Sequence, residues 1–186
     1  DALLNYLPQN ADLIVLPYVK GMKQESSLIN KDIDGDGEKE AVALYRDKNT
    51  RKIGLIVMDK ENDTWMRKTD IKLDVFEVAD YKVIDTNNDG LDEIIIGYYG
   101  ITNPYKEVNI YVQEQNNLRS IFKERYLALD VLDADEDGLQ DIVISDFADT
   151  EHNNRVSIFN VYGNNAVKIS EISYPKENEV YSISFG

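Results

Sequence analysis

The chain has 186 residues, 42% of them hydrophobic, a formal charge of −15 and no cysteine. That length and composition suffice for one domain with a sizeable core, and 12 tyrosines beside many Ile/Val-rich runs suit β-sheets. The acidity argues against nucleic acid or anionic lipid as a partner, since both are bound through Lys and Arg that neutralise phosphates. The absence of cysteine excludes disulfides, thiol catalysis and Cys-type zinc sites.

From the N-terminus, Ala2-Leu-Leu-Asn-Tyr-Leu7 carries the apolar spacing of a short helix stopped before Pro8. Its expected role is a lid over exposed sheet edges. Residues 11–19 and 21–29 read as two strands leading onward. The first of these stretches is the longest apolar one, too short to span a membrane and interrupted by Pro17. Residues 1–26 are thus read as a helix with leading strands, and residues 27–186 as a repeat region within one domain.

Three acidic loops of one pattern open the repeats: Asp32-Ile-Asp34-Gly-Asp36-Gly37-Glu38-Lys-Glu40, Asp85-Thr-Asn87-Asn-Asp89-Gly90-Leu91-Asp-Glu93 and Asp133-Ala-Asp135-Glu-Asp137-Gly138-Leu139-Gln-Asp141. Side-chain oxygens at positions 1, 3, 5 and 9, a backbone carbonyl at position 7 (Glu38, Leu91, Leu139) and a turn-permitting Gly at position 6 supply the hard oxygens that Ca²⁺ takes. The spacing predicts about three Ca²⁺ ions. An EF-hand needs its bidentate Glu at position 12, where this chain has Ala43, Ile96 and Ile144, so the EF-hand reading fails. Eleven of the acids stand at ligand positions, and three divalent ions would bring the net charge to about −9.

Each loop runs into a short aliphatic strand: Ala41-Val-Ala-Leu-Tyr45, Ile94-Ile-Ile-Gly-Tyr98 or Ile142-Val-Ile-Ser145. Such runs, bounded by Gly or Asp, read as buried strands. An alternating run, an Asn- or Asp-rich turn and a further strand follow, and a last strand enters the next loop. The loops begin at 32, 85 and 133, so the periods are 53 and 48 residues, in the range of arrays and propellers. Four strands per period is the unit of a propeller blade.

With Asp-x-Asp/Asn-x-Asp-Gly-x-x-Asp/Glu before an aliphatic strand, the chain resembles the FG-GAP and VCBS repeat family, the calcium-looped blades of integrin-type propellers and many bacterial surface proteins. The resemblance covers residues 27–186, and Phe185-Gly186 resembles the opening of a further repeat. The Gly-Ala-Pro that follows the strand in the family is replaced by Gly97-Tyr98-Tyr99 and Ser145-Asp146-Phe147, which points to the VCBS-like branch. The resemblance implies an all-β, propeller-like array of three to four four-stranded blades, usually extracytoplasmic, often lipid-anchored at the bacterial surface, and usually non-enzymatic. A start at Asp1 rather than Met fits a mature fragment whose targeting segment has been removed.

Loop ends of blades converge and carry function. Arg46, Tyr98, Tyr99, Tyr105 and Phe147, just beyond the post-loop strands, are candidates for a protein- or glycan-recognition face, with packing between blades as the competing reading. His152, in a polar run, reads as a solvated loop residue, and Trp65 as core. The leading functional reading is a calcium-stabilised, non-catalytic binding or scaffold module. The alternative is a glycan-active enzyme, or an accessory domain of one, using paired carboxylates. A calcium sensor would need helix pairs that open on binding, which the flanking strands contradict.

Overall fold

The computed structural model describes residues 5–16, 26–99, 106–115, 117–147 and 153–175, without the side chains of Phe147 and Asn153. Thirteen strands follow in chain order: β1 (Ala11–Leu13), β2 (Ile29–Lys31), β3 (Glu40–Asp47), β4 (Ile53–Glu61), β5 (Thr64–Leu73), β6 (Glu77–Ile84), β7 (Glu93–Tyr99), β8 (Lys106–Glu114), β9 (Asn117–Tyr126), β10 (Ala128–Leu132), β11 (Asp141–Phe147), β12 (Asn153–Tyr162) and β13 (Asn165–Pro175). They form three antiparallel sheets, each an up-and-down meander. The second is β6-β7-β8-β9 and the third β10-β11-β12-β13. In the first, β1 and β2 both pair with β3, one along Tyr45–Asp47 and the other along Glu40–Val42, so together they stand where β6 and β10 stand in the other two. The N-terminal strands therefore complete the first sheet. Phe185-Gly186, the expected opening of a further repeat, and His152 lie outside the described residues.

The three sheets repeat in detail. A bulge falls at Val57/Met58, Ile110/Tyr111 and Ile158/Phe159, the same register step of each third strand. Bulges increase local strand twist, and twist lets sheets of one shape stack. The turn into each fourth strand uses left-handed backbone, at Asn62 and Asp63 (φ 49 and 62), Gln115 (φ 56) and Gly163 (φ 53), as tight hairpins require.

The middle strands are buried on both faces, which explains why β3, β7 and β11 read as continuous aliphatic runs and not as alternating ones. One core packs the first sheet on the second, with Val42, Leu44, Leu55 and Val57 against Val83, Ile94 and Ile96. Another packs the second on the third, with Ile95, Val108 and Ile110 against Ile142, Ile144 and Phe159. The edge-to-face pair of Phe122 and Phe159 spans that second junction.

The outer face of the first sheet (Ala41, Ala43, Tyr45, Ile56, Met58) is covered by Tyr6, Leu7, Ala11, Leu13, Leu28 and Trp65. The predicted helix is not seen, and this cover lies on a face of the sheet, not over exposed edges. Asn5 and Tyr6 form a single 3₁₀ turn, and no α-helix occurs among the described residues. So short a helix cannot offset its nucleation cost before Pro8 ends it. Packing holds the segment instead, aided by the Arg67 guanidinium, which donates to the Tyr6 carbonyl. Trp65 is half-buried against this cluster, in line with the core reading.

Candidate metal centre

The three acidic loops are the β2–β3, β6–β7 and β10–β11 connections, at one end of their sheets. Their backbones match. Position 4 is left-handed in each (Gly35 φ 82, Asn88 φ 60, Glu136 φ 62), and so is position 6 (Gly37 φ 88, Gly90 φ 89, Gly138 φ 90). A Cβ built on Gly37, Gly90 or Gly138 would meet nothing within 4 Å. The requirement for glycine there is therefore conformational, since a φ near 90° is strained for any residue with a Cβ.

Carboxylates shape the turn from inside. The first Asp accepts the amide of position 6 in every loop: Gly37 to Asp32, Gly90 to Asp85 and Gly138 to Asp133, each at 3.0 Å. Position 3 accepts from position 5, and position 5 from position 7, so the amides of Glu38, Leu91 and Leu139 are fixed at 2.8, 2.9 and 2.8 Å. The closing acid reaches back to position 2. Glu40 Oε2 accepts from the Ile33 amide (2.8 Å), Glu93 Oε2 from the Thr86 amide (2.9 Å) and hydroxyl, and Asp141 Oδ2 from the Ala134 amide (2.7 Å).

The oxygens left over point to a cation. Glu40 is 2% exposed and Asp141 is 0% exposed, yet Glu40 Oε1 and Asp141 Oδ1 accept no hydrogen bond, nor does the buried Asp133 Oδ1. Buried acceptors without donors are costly and rare in proteins. Burial pushes Glu40 up to about 7, with the charges of Asp34, Asp59 and Asp36 adding to it. Asp141 is raised by burial and by Asp135 and Asp137, and Glu93 by burial and by Asp89 and Asp85. A divalent ion would give the orphaned oxygens a partner and reverse this strain.

The donor set fits such an ion. Asp32, Asp34 and Asp36 offer oxygens within 4.8 Å of one another, as do Asp133, Asp135 and Asp141. These two loops are groups that could hold a metal. The second loop has the same hydrogen bonds, with Asn87 supplying an amide oxygen in place of a carboxylate, and its acids do not form a group of that tightness among the described residues.

No family model and no curated protein matches the chain significantly.

Neighbouring loops are joined to one another. The Asp92 amide donates to the Asp32 carbonyl (3.4 Å) and the Gln140 amide to the Thr86 carbonyl (3.1 Å). Lys31 pairs with Asp92 at 3.0 Å across the first junction, and Lys82 with Asp130 at 2.8 Å across the second. The loops thus form a continuous rim. Asp92, Gln140 and the Thr86 hydroxyl stand outside the ligand pattern, which is why the spacing did not single them out.

Among the described residues of the expected recognition face, Arg46, Tyr98 and Tyr99 lie at the opposite ends of the strands, and Tyr98 and Tyr99 differ sharply in exposure. Tyr98 is 6% exposed and belongs to the core between the first two sheets, so the packing reading holds for it. Tyr99, its neighbour, is 44% exposed. The Arg46 guanidinium is tied to the carbonyls of Arg51 (3.0 Å) and Phe76 (2.5 Å). Tyr105 and the Phe147 side chain lie outside the described residues. This end of the sheets carries a different device: a Cβ on Gly97 would come within 2.0 Å of the Tyr126 hydroxyl, which donates to Asp80. The tyrosine ring fills the space that glycine leaves.

Proposed function

We propose that this chain is a calcium-stabilised, non-catalytic recognition or scaffold module of the VCBS/FG-GAP type, with one Ca²⁺ in each of its three loops. The ligands would be Asp32, Asp34, Asp36 and Glu40; Asp85, Asn87, Asp89 and Glu93; and Asp133, Asp135, Asp137 and Asp141, with carbonyls from Glu38, Leu91 and Leu139. The observation that carries this reading is the set of buried, donorless carboxylate oxygens on Glu40, Asp133 and Asp141. An all-oxygen set of carboxylates, an amide and carbonyls suits Ca²⁺, whereas zinc and copper favour His and Cys. Bound calcium would hold the rim rigid and relieve the repulsion among the loop acids, linking metal binding to folding.

Sites of this class fill where calcium is millimolar, so the proposal places the module outside the cytoplasm. Its partner would be a protein or a glycan, with Tyr99 the exposed aromatic among the described residues of the predicted face.

The test is thermal denaturation with and without a calcium-selective chelator. A ligand confined to the folded state adds about 2.7 kcal/mol per site at about a hundredfold excess over Kd. Chelation should lower Tm by about 5 °C or more. An unchanged Tm would reduce the loops to ordinary turns.

A further inference from the structure

Each loop has one more neighbour, contributed by a strand that the ligand pattern does not include. Met58, Tyr111 and Phe159 pair with Ala41, Ile94 and Ile142, the residues just past the closing acids. One step further along the same antiparallel ladder, Asp59, Val112 and Asn160 come opposite Glu40, Glu93 and Asp141. All three are buried, at 7, 8 and 2% exposure. Their contacts agree with this placement. Asn160 Nδ2 donates to Asp137 Oδ2 at 3.4 Å, and its Oδ1 is buried without a partner beside the third loop. Val112 lines a cleft of about 270 Å³ with Asp89, Leu91 and Glu93 of the second loop. Asp59, placed beside the first loop by that ladder, accepts the Lys60 amide at Oδ1 and lies 3.3 Å from Lys68 at Oδ2.

The same structural position therefore presents a carboxylate to the first loop, an amide to the third and a hydrocarbon to the second. We infer that this position grades the three loops in calcium affinity, the first tightest, the third intermediate and the second weakest. The inference rests on the calcium reading above and deepens it. Charge count at the ligand positions runs the same way, with four carboxylates in the first and third loops and three in the second because Asn87 replaces one, and Asp59, itself paired with Lys68, adds to the first. Affinity in oxygen sites follows ligand charge, and a charge just outside the coordination sphere acts on a divalent ion through Coulomb's law. As calcium falls, the second loop would empty first. It is also the loop bonded to both others, by the Asp92 and Gln140 amides, so the middle of the rim would loosen before its ends.

The position can be tested in both directions with isosteric changes, Asp59→Asn and Asn160→Asp. The amides of Gly37, Gly90 and Gly138, each bound to the first Asp of its own loop, serve as three separate reporters in ¹H–¹⁵N spectra during titration with calcium alone. In the unaltered chain the midpoints should rise in the order Gly37, Gly138, Gly90. Asp59→Asn should weaken the site reported by Gly37 about three- to tenfold, and Asn160→Asp should tighten the site reported by Gly138 by a similar factor. Should Asp59→Asn fail to fold, Asn160→Asp, with the opposite sign, decides alone. Equal midpoints, or shifts under about twofold with three ions still bound, would overturn the grading and leave the calcium reading in place. If none of the three glycines responds to calcium, both fall.

Discussion

Glu40→Gln separates a metal ligand from an ordinary buried acid, because the two roles give opposite signs in calcium and in chelator. In the chain without calcium, Glu40 keeps one carboxylate oxygen buried and donorless among Asp34, Asp36 and Asp59. The amide keeps the shape, removes the charge and turns a donor towards those acids. Relief of one unsatisfied buried group is worth about 1 kcal/mol, or about 2–4 °C in Tm for a chain of this size. In saturating calcium the same change removes one charged ligand of four. A loss of about tenfold in affinity removes about 1.4 kcal/mol of the calcium stabilisation, which against the gain of about 1 kcal/mol leaves a net loss of about 0.4 kcal/mol, or about 1 °C. Paired melting curves at pH 8, where the carboxylate is ionised, read both numbers. Stabilisation in chelator with destabilisation in calcium is expected; a shift of the same sign in both would refute the ligand role.

Further predictions concern the frame that carries the rim. Gly97→Ala should destabilise the chain by about 1–3 kcal/mol through overlap with the Tyr126 hydroxyl, without changing calcium stoichiometry, and Tyr126→Phe should rescue part of the loss. Tyr98→Ala should cost about 3–5 kcal/mol as a core truncation, whereas Tyr99→Ala should stay within about 0.5 kcal/mol; equal costs would contradict the opposed faces. Burial pushes Tyr111 up to about 12 and raises Tyr45, Tyr81 and Tyr126 further. Spectrophotometric titration at pH 11 should therefore leave these four neutral in the native chain. A folded value raised above the unfolded one of about 10 gives stability that is complete below pH 10 and lost as pH rises beyond it. Full ionisation of all 12 tyrosines at pH 11 in a still-folded chain would count against the packing described.

The loops were legible because every ligand position sits within nine residues, and local spacing alone sets the turn. Four strands per period were legible for a related reason: fully buried strands appear as aliphatic runs between turn residues. The error at Tyr98 was avoidable in principle, since adjacent residues of a strand point to opposite faces, and Tyr98 and Tyr99 could not both line one exposed surface. The N-terminal helix was misread because Tyr6 and Leu7, part of its apolar spacing, pack on the sheet face with Ala41, Ala43 and Met58. Asp59 and Asn160 were invisible for a different reason. About twenty residues separate each from its loop, and the alignment depends on a pairing register that no local pattern announces.

Metal analysis of the chain after exhaustive chelation and reloading in millimolar calcium tests the central claim most directly. The account predicts three ions per chain, with Asp133→Ala and Asp32→Ala each removing one. Fewer than two ions per chain would contradict it.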